Sequence, residues 1–212
     1  MTRRVLMLLL AAAGVAGCTP TYRVHVNTFY QLKEPLSQGN SIYVAVDPNS
    51  RNPILAQKIA AKMRTMLQDL GYGAAEKPES AQYTLTFRAG VDTSSYLDYM
   101  PISRPYGGYY GLYGGFHRGF GFGYTTYLPY IETVYAHWLE TRLYGQSDII
   151  KGKAQPLWIG EAVVGMDDPE LRQAVNYLLV GLMDYFGADT QRWVTVRLKK
   201  DDPRVLAVEE AP

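Results

Sequence analysis

Two stretches of this chain carry the same device for starting a helix, and each runs into an apolar stripe of helical period. Asn52-Pro53 opens the first, asparagine being a favoured N-cap and proline suiting the first helical position. Ile54, Leu55, Ile59, Met63, Met66, Leu67 and Leu70 follow at the spacing of one helix face, and Gly71 is a natural terminator. The spacing predicts a helix over 53–70. Asp168-Pro169 repeats the device, with Asp168 as N-cap and Asp167 beside the positive helix end. Leu171, Val175, Leu178, Leu179, Leu182 and Phe186 then form a stripe closed by Gly187.

The remaining segments alternate with period two, the signature of strands. Such runs lie at 22–30, at 41–46, at 82–89 (QYTLTFRA), at 131–144, at 157–164 and at 192–198. Pro35 to Asn40 reads as a turn, and another around Gly145–Ala154 should join 131–144 and 157–164 as an antiparallel hairpin. The order is β-β-α-β-β-β-α-β. It predicts an α+β fold: one antiparallel or mixed sheet of five to six strands, two amphipathic helices on one face, and a long Gly/Tyr-rich hairpin loop. The tail from Lys199, residues 199–212, is charged and proline-bearing, and is expected to fray.

The N-terminus has a different character. Arg3 and Arg4 precede the apolar run Val5–Ala13, and Val15-Ala16-Gly17 leads to Cys18, the single cysteine of the chain. A basic region, a short apolar region and a small-residue cleavage site make a signal peptide. With cysteine directly after the cut, it resembles a bacterial lipoprotein signal with its lipobox. That resemblance implies removal of residues 1–17 and acylation of Cys18 by palmitate-type chains. It places the protein on a membrane of the bacterial envelope. The apolar stretch from Val5 to Gly17 is too short to span a bilayer, which takes about 20 apolar residues. Thr19 stands where an aspartate would mark inner-membrane retention, so the expectation is the periplasmic face of the outer membrane. Residues 18–40 are then anchor, tether and first strand, and 41–198 a single α+β domain.

Removing residues 1–17 takes away Arg3 and Arg4. The 21 Lys and Arg become 19 against 20 Asp and Glu, a net charge of −1. A near-neutral chain without a basic run argues against nucleic acid as a partner. With Cys18 acylated no thiol remains, so disulfides and cysteine metal sites are both excluded, and the fold must be held by packing.

Leu70-Gly71-Tyr72, the strand YTLTFRA and Leu157-Trp158-Ile159-Gly160-Glu161-Ala162 are similar to a Gram-negative envelope lipoprotein family known as a domain of unknown function. The resemblance covers residues 40–190 and implies a small α+β periplasmic domain with neither catalytic residues nor cofactor. A remoter similarity is to auxiliary lipoproteins of envelope ABC transporters. The chain departs from the first family's pattern by a long insertion at 101–130.

That insertion holds much of the chain's tyrosine and glycine. Tyr106, Tyr109, Tyr110, Tyr113, Phe116, Phe120, Phe122 and Tyr124 are separated by glycines, whose density makes regular structure costly in backbone entropy. Tyrosine offers large contact area at low rotamer cost, so these aromatics are candidate partner-binding residues. A loosely packed low-complexity loop and a self-associating one are the competing readings.

The histidines His25, His117 and His137 have no companion at metal-ligand spacing, and no nucleophile elbow or phosphate loop is present. The sequence therefore predicts a non-enzymatic, lipid-anchored binding or assembly module of envelope maintenance, with no metal or cofactor. Its partners would be the membrane and an envelope protein. An ABC-transporter auxiliary subunit is the alternative, and an unrecognised envelope hydrolase a more distant one.

Overall fold

The computed structural model describes residues 19–32, 35–47, 50–105, 123–150 and 154–211; for 96, 98–105, 123–128 and 130–132 it describes the backbone alone. These fall into two units, one made of the chain up to Asp92 and from Tyr135 on, the other of Thr93–Val134. The elements are β1 (Thr21–Tyr30), β2 (Ser41–Ala45), α1 (Pro53–Asp69), β3 (Gly73–Ala75), a 3-10 turn (Pro78–Ser80), β4 (Tyr83–Pro105), β5 (Gly123–Gly145), α2 (Gln146–Ile150), β6 (Trp158–Met166), α3 (Leu171–Met183), β7 (Val194–Lys199) and α4 (Pro203–Glu210).

The strands form one open mixed sheet in the order β3-β2-β4-β5-β6-β1-β7. β2 runs parallel to both β3 and β4, whereas β5, β6, β1 and β7 pair antiparallel in succession. The expected hairpin of β5 with β6 is present, with Tyr135 opposite Met166 and Leu143 opposite Trp158. The sheet has seven strands rather than five to six, because Gly-Ala-Ala at 73–75 is too short to show an alternation.

α1 begins as its sequence requires: the Asn52 side chain accepts from the Leu55 N–H at 3.0 Å and Pro53 opens the first turn. Ala56, Ile59, Ala60, Met63 and Leu67 bury its apolar stripe. Gly71, at φ +89°, supplies the left-handed residue that ends it. α3 starts two residues later than predicted. Its cap is Glu170, which accepts from the Arg172 N–H, while Asp168 turns the chain ahead of it by accepting from the Glu170 N–H. From Ala174 to Met183 every residue of α3 is buried.

Both long helices pack on one sheet face, over Val24, Val26, Ile42, Val44, Leu85, Leu139, Ala162 and Val164. At one end of this core Trp158 is 1% exposed. Its indole meets Phe186 edge-on with centroids 4.9 Å apart, and Phe186 meets Tyr72 at 5.3 Å. Its Nε1–H donates to the Ala188 carbonyl at 3.0 Å. The Gly71-Tyr72 and Trp158-x-Gly160 motifs thus converge on one aromatic cluster.

Two segments depart from the sequence reading. β1, grouped there with the tether, is an interior strand between β6 and β7. The tail expected to fray holds α4, which begins at Asp202-Pro203 with the Asp202 side chain accepting from the Arg204 N–H. Val205 and Val208 are buried. The Lys62 ammonium reaches across from α1, donating to the carbonyls of Val208 and Glu209 and to Asn176 Oδ1. A cation is favoured at a helix C-terminus, where the carbonyls lack partners.

Burial raises the phenol pKa of Tyr72 and of Tyr177 above the ordinary 10.0, with Tyr30 and Tyr22 respectively adding to it. A raised folded value means stability that is complete below the unfolded pKa and lost as pH climbs through the folded one. Lys62, whose pKa burial lowers from 10.5, acts with the opposite sign, but its contribution is complete once pH reaches 10.5. The melting temperature is therefore expected to fall above pH 10, with late-titrating tyrosines appearing in the tyrosinate absorbance as the chain unfolds.

Candidate functional site

Cys18 and the lipobox residues Val15, Ala16 and Gly17 lie outside the described residues. The chain immediately after Cys18 is tightly held. The Lys200 N–H donates to the Pro20 carbonyl at 2.9 Å, and β1 begins at Thr21. Thr19 alone separates Cys18 from Pro20. At about 3.5 Å per residue, the three steps from Cys18 to Thr21 would hold a lipid on Cys18 within roughly 10 Å of the start of β1. The segment expected to be a tether has almost no length.

Of the aromatic candidates, Tyr106, Tyr109, Tyr110, Tyr113, Phe116, Phe120 and Phe122 lie outside the described residues. Tyr124 belongs to β5, and its backbone is strand. The insertion at 101–130 is thus shorter as a loop than the sequence implied, since 101–105 end β4 and 123–130 begin β5.

β4 and β5 are each 23 residues long. Their register is set by three contacts. The Gln146 N–H donates to the Gln82 carbonyl, the Thr86 hydroxyl to the Arg142 carbonyl, and Ser95 and Thr133 share a hydroxyl hydrogen bond. As one number rises the other falls by the same amount, so the strands are antiparallel, and the same register sets Pro105 opposite Gly123. β2 pairs with β4 at 83–86 and β6 with β5 from Tyr135. Thr93–Val134 is therefore a two-stranded ribbon among the described residues.

Pro101, Pro105 and Pro129 stand in this ribbon, and all carry odd numbers. On β5 the carbonyl of Arg142 faces β4, whereas that of Leu143 receives the Leu157 N–H from the other side. Odd positions thus point their backbone groups away from the partner strand. Proline is tolerated in a strand where its missing N–H would have faced outward. These prolines cost the hairpin no hydrogen bond, and they blunt its free edges against the addition of a further strand.

His25 and His137 lie on opposite faces of the sheet and form no pair. His25 is exposed, and its Nδ1 shares a 3.1 Å hydrogen bond with the Thr195 hydroxyl. His137 is fully buried on the helix-covered face, and neither ring nitrogen has a hydrogen-bond partner among the described residues. His117 lies outside them. No cluster of three or more His, Cys, Asp or Glu residues able to hold a metal is found among the described residues.

Two hollows went unforeseen in the sequence. One, of about 360 Å³, is lined by Ala45, Thr86, Arg88, Glu140, Arg142 and Tyr144. Arg142 pairs with Glu140, and a Tyr144 hydrogen bond followed by Glu140 raises the guanidinium pKa. The other, of about 400 Å³, lies beside Lys62 between α1, α3 and the end of α4. Lys62 is committed there to the contacts that hold α4. The strands and helices lining each hollow are far apart in sequence, so no local motif marks them.

No protein-family model matches the chain, and no curated protein matches it in sequence. Several solved structures align with the chain at low scores. A PelC dodecamer from Paraburkholderia phytofirmans is 11% identical, with a TM-score of 0.42 over 79% of this chain and 99% of that one. A PDZ domain protein from Parabacteroides distasonis is 15% identical, with a TM-score of 0.43 over 92% of this chain and 42% of that one. A DUF4136 family protein from Bacteroides thetaiotaomicron is 15% identical, with a TM-score of 0.36 over 74% and 94%. At these scores the likenesses identify neither a family nor a function.

Proposed function

We propose that the chain is a lipid-anchored protein of the bacterial envelope, held on the periplasmic face of the outer membrane through Cys18. It acts as a non-enzymatic binding or assembly module, with its Gly/Tyr-rich segment as the partner contact. The observation that carries this reading is Val15-Ala16-Gly17-Cys18, with the sole cysteine at the position where lipidation chemistry needs a thiol. The near-absence of a tether supports it, because acyl chains there would seat the sheet directly on the bilayer. Two or more chains anchor stably, at about 0.8 kcal/mol per buried CH₂.

The intact mass of the protein extracted from bacterial membranes tests the anchor. The expected mass corresponds to a chain beginning at Cys18 plus its acyl groups. A chain with residues 1–17 still attached, or cut without acylation, overturns the reading.

The partner contact has its own test. A flexible Gly-Ser linker replacing 106–122 removes the aromatic residues between Pro105 and Gly123. The expected result is loss of envelope-protein adducts formed in living cells by a photo-crosslinker at Tyr124, with a melting temperature within about 2 °C of wild type. Undiminished adducts would remove the segment from the binding site.

A further inference from the structure

The sheet face that the helices leave open carries a like-charge pair. β1 and β7 set Arg23 directly opposite Arg197, and Thr21 opposite Lys199. Alternate residues on these strands, Val24, Val26 and Leu198, are buried beneath the helices, so Arg23, Arg197 and Lys199 share the other face. All three are exposed. Like charges directly opposite on a sheet are destabilising unless something compensates them. Among the described residues no carboxylate comes within the 4.0 Å of an ion pair with any of the three. Asp167, Asp168 and Asp201 are their acidic neighbours in the chain or in register, and none of them forms such a pair.

The same end of the sheet is where the chain arrives from Cys18. Pro20 is tied to Lys200, and Arg23 comes three residues later. A bilayer holding acyl chains on Cys18 would bring its headgroups to the place where three cations lack counterions. We propose that Arg23, Arg197 and Lys199 form a docking surface for the phosphates of an anionic phospholipid membrane. This inference rests on the reading of Cys18 as the anchor. The charge is of the right sign, and the length of chain before β1 leaves little room for anything else between sheet and membrane. Guanidinium groups bind phosphate through paired N–H donors, which suits the two arginines. Each cation near an anionic surface adds about 1 kcal/mol, a factor of about five in partition. The surface would also fix which face of the sheet lies toward the lipid, something acyl chains alone do not do.

The test uses the unacylated chain from residue 19, which contains every described element of the fold, so that binding does not depend on lipidation. Its co-sedimentation is measured with phosphatidylcholine vesicles, with and without phosphatidylglycerol, at low and at roughly 0.15 M salt. The expected result is binding to the phosphatidylglycerol vesicles that weakens with salt. It should fall about fivefold with each of Arg23→Gln, Arg197→Gln and Lys199→Gln. Arg197→Glu should raise the melting temperature, by turning a repulsive cross-strand pair into an attractive one, while weakening vesicle binding. Equal binding to both vesicle types, or variants that bind like wild type, overturns the proposal. Vesicle preference without acylation in the extracted protein would overturn the anchor and keep the surface, and acylation without vesicle preference would do the reverse.

Discussion

Trp158→Ala is expected to lower the unfolding free energy by about 3–5 kcal/mol, the largest loss from any single truncation in this core. The side chain is 1% exposed and has three separate commitments. Its ring stacks edge-on with Phe186, which carries the contact on to Tyr72. Its Nε1–H donates to the Ala188 carbonyl beyond the end of α3, an acceptor shared with the Thr28 hydroxyl, so truncation removes one of two hydrogen bonds there as well as opening a cavity. The ring also covers Gly160 two residues along the same strand. Because natural folds are stable by about 5–15 kcal/mol, the variant would keep only a small reserve. Urea unfolding monitored by circular dichroism measures the loss. A loss below about 1 kcal/mol would mean that the aromatic cluster does not pin β6 to the end of α3.

Gly160→Val should be nearly as damaging for the opposite reason. A Cβ at Gly160 would overlap the Trp158 ring and fall 2.8 Å from Leu182 Cδ1. Both obstacles are fully buried or nearly so, with no solvent side into which to swing. Overpacking of this kind costs about 1–3 kcal/mol, occasionally more, and a β-branched residue inside a rigid corner belongs at the top of that range. The two substitutions should not add. In the Trp158→Ala background the new valine enters space the indole has vacated. The double variant is expected to be more stable than the sum of the singles implies by at least about 1 kcal/mol. Strict additivity would show that ring and glycine do not share the same volume.

This coupling illustrates what was legible in the sequence and what was not. Periodicity located α1, β2 and β6 because each buries one face over several residues, so the pattern repeats often enough to be seen. The Asn-Pro device placed the start of α1. The same device at Asp202-Pro203 starts α4, where its signal was masked by the surrounding charges and by an apolar face that buries only Val205 and Val208. At α3 the motif set the approach, yet the helix began after Glu170, because a second acidic side chain within reach of the first free N–H groups took over the cap. Gly71-Tyr72 and Trp158-x-Gly160 stood out as motifs, but their meeting through Phe186 depends on tertiary packing. The Arg23–Arg197 juxtaposition was invisible for a similar reason. It exists because the first and last strands are neighbours, and nothing local in either strand announces that pairing.

The prolines of the ribbon bear on crowding. Proteins confined to a surface meet one another at local concentrations far above those in solution, and an exposed two-stranded ribbon is the kind of element that would zip into its neighbours' ribbons under such conditions. Pro101, Pro105 and Pro129 remove donors from the outward-facing edge positions and interrupt that route at both strands. Copies held on a membrane through Cys18, as proposed, would then each remain a separate molecule instead of a nucleus for a shared, growing sheet.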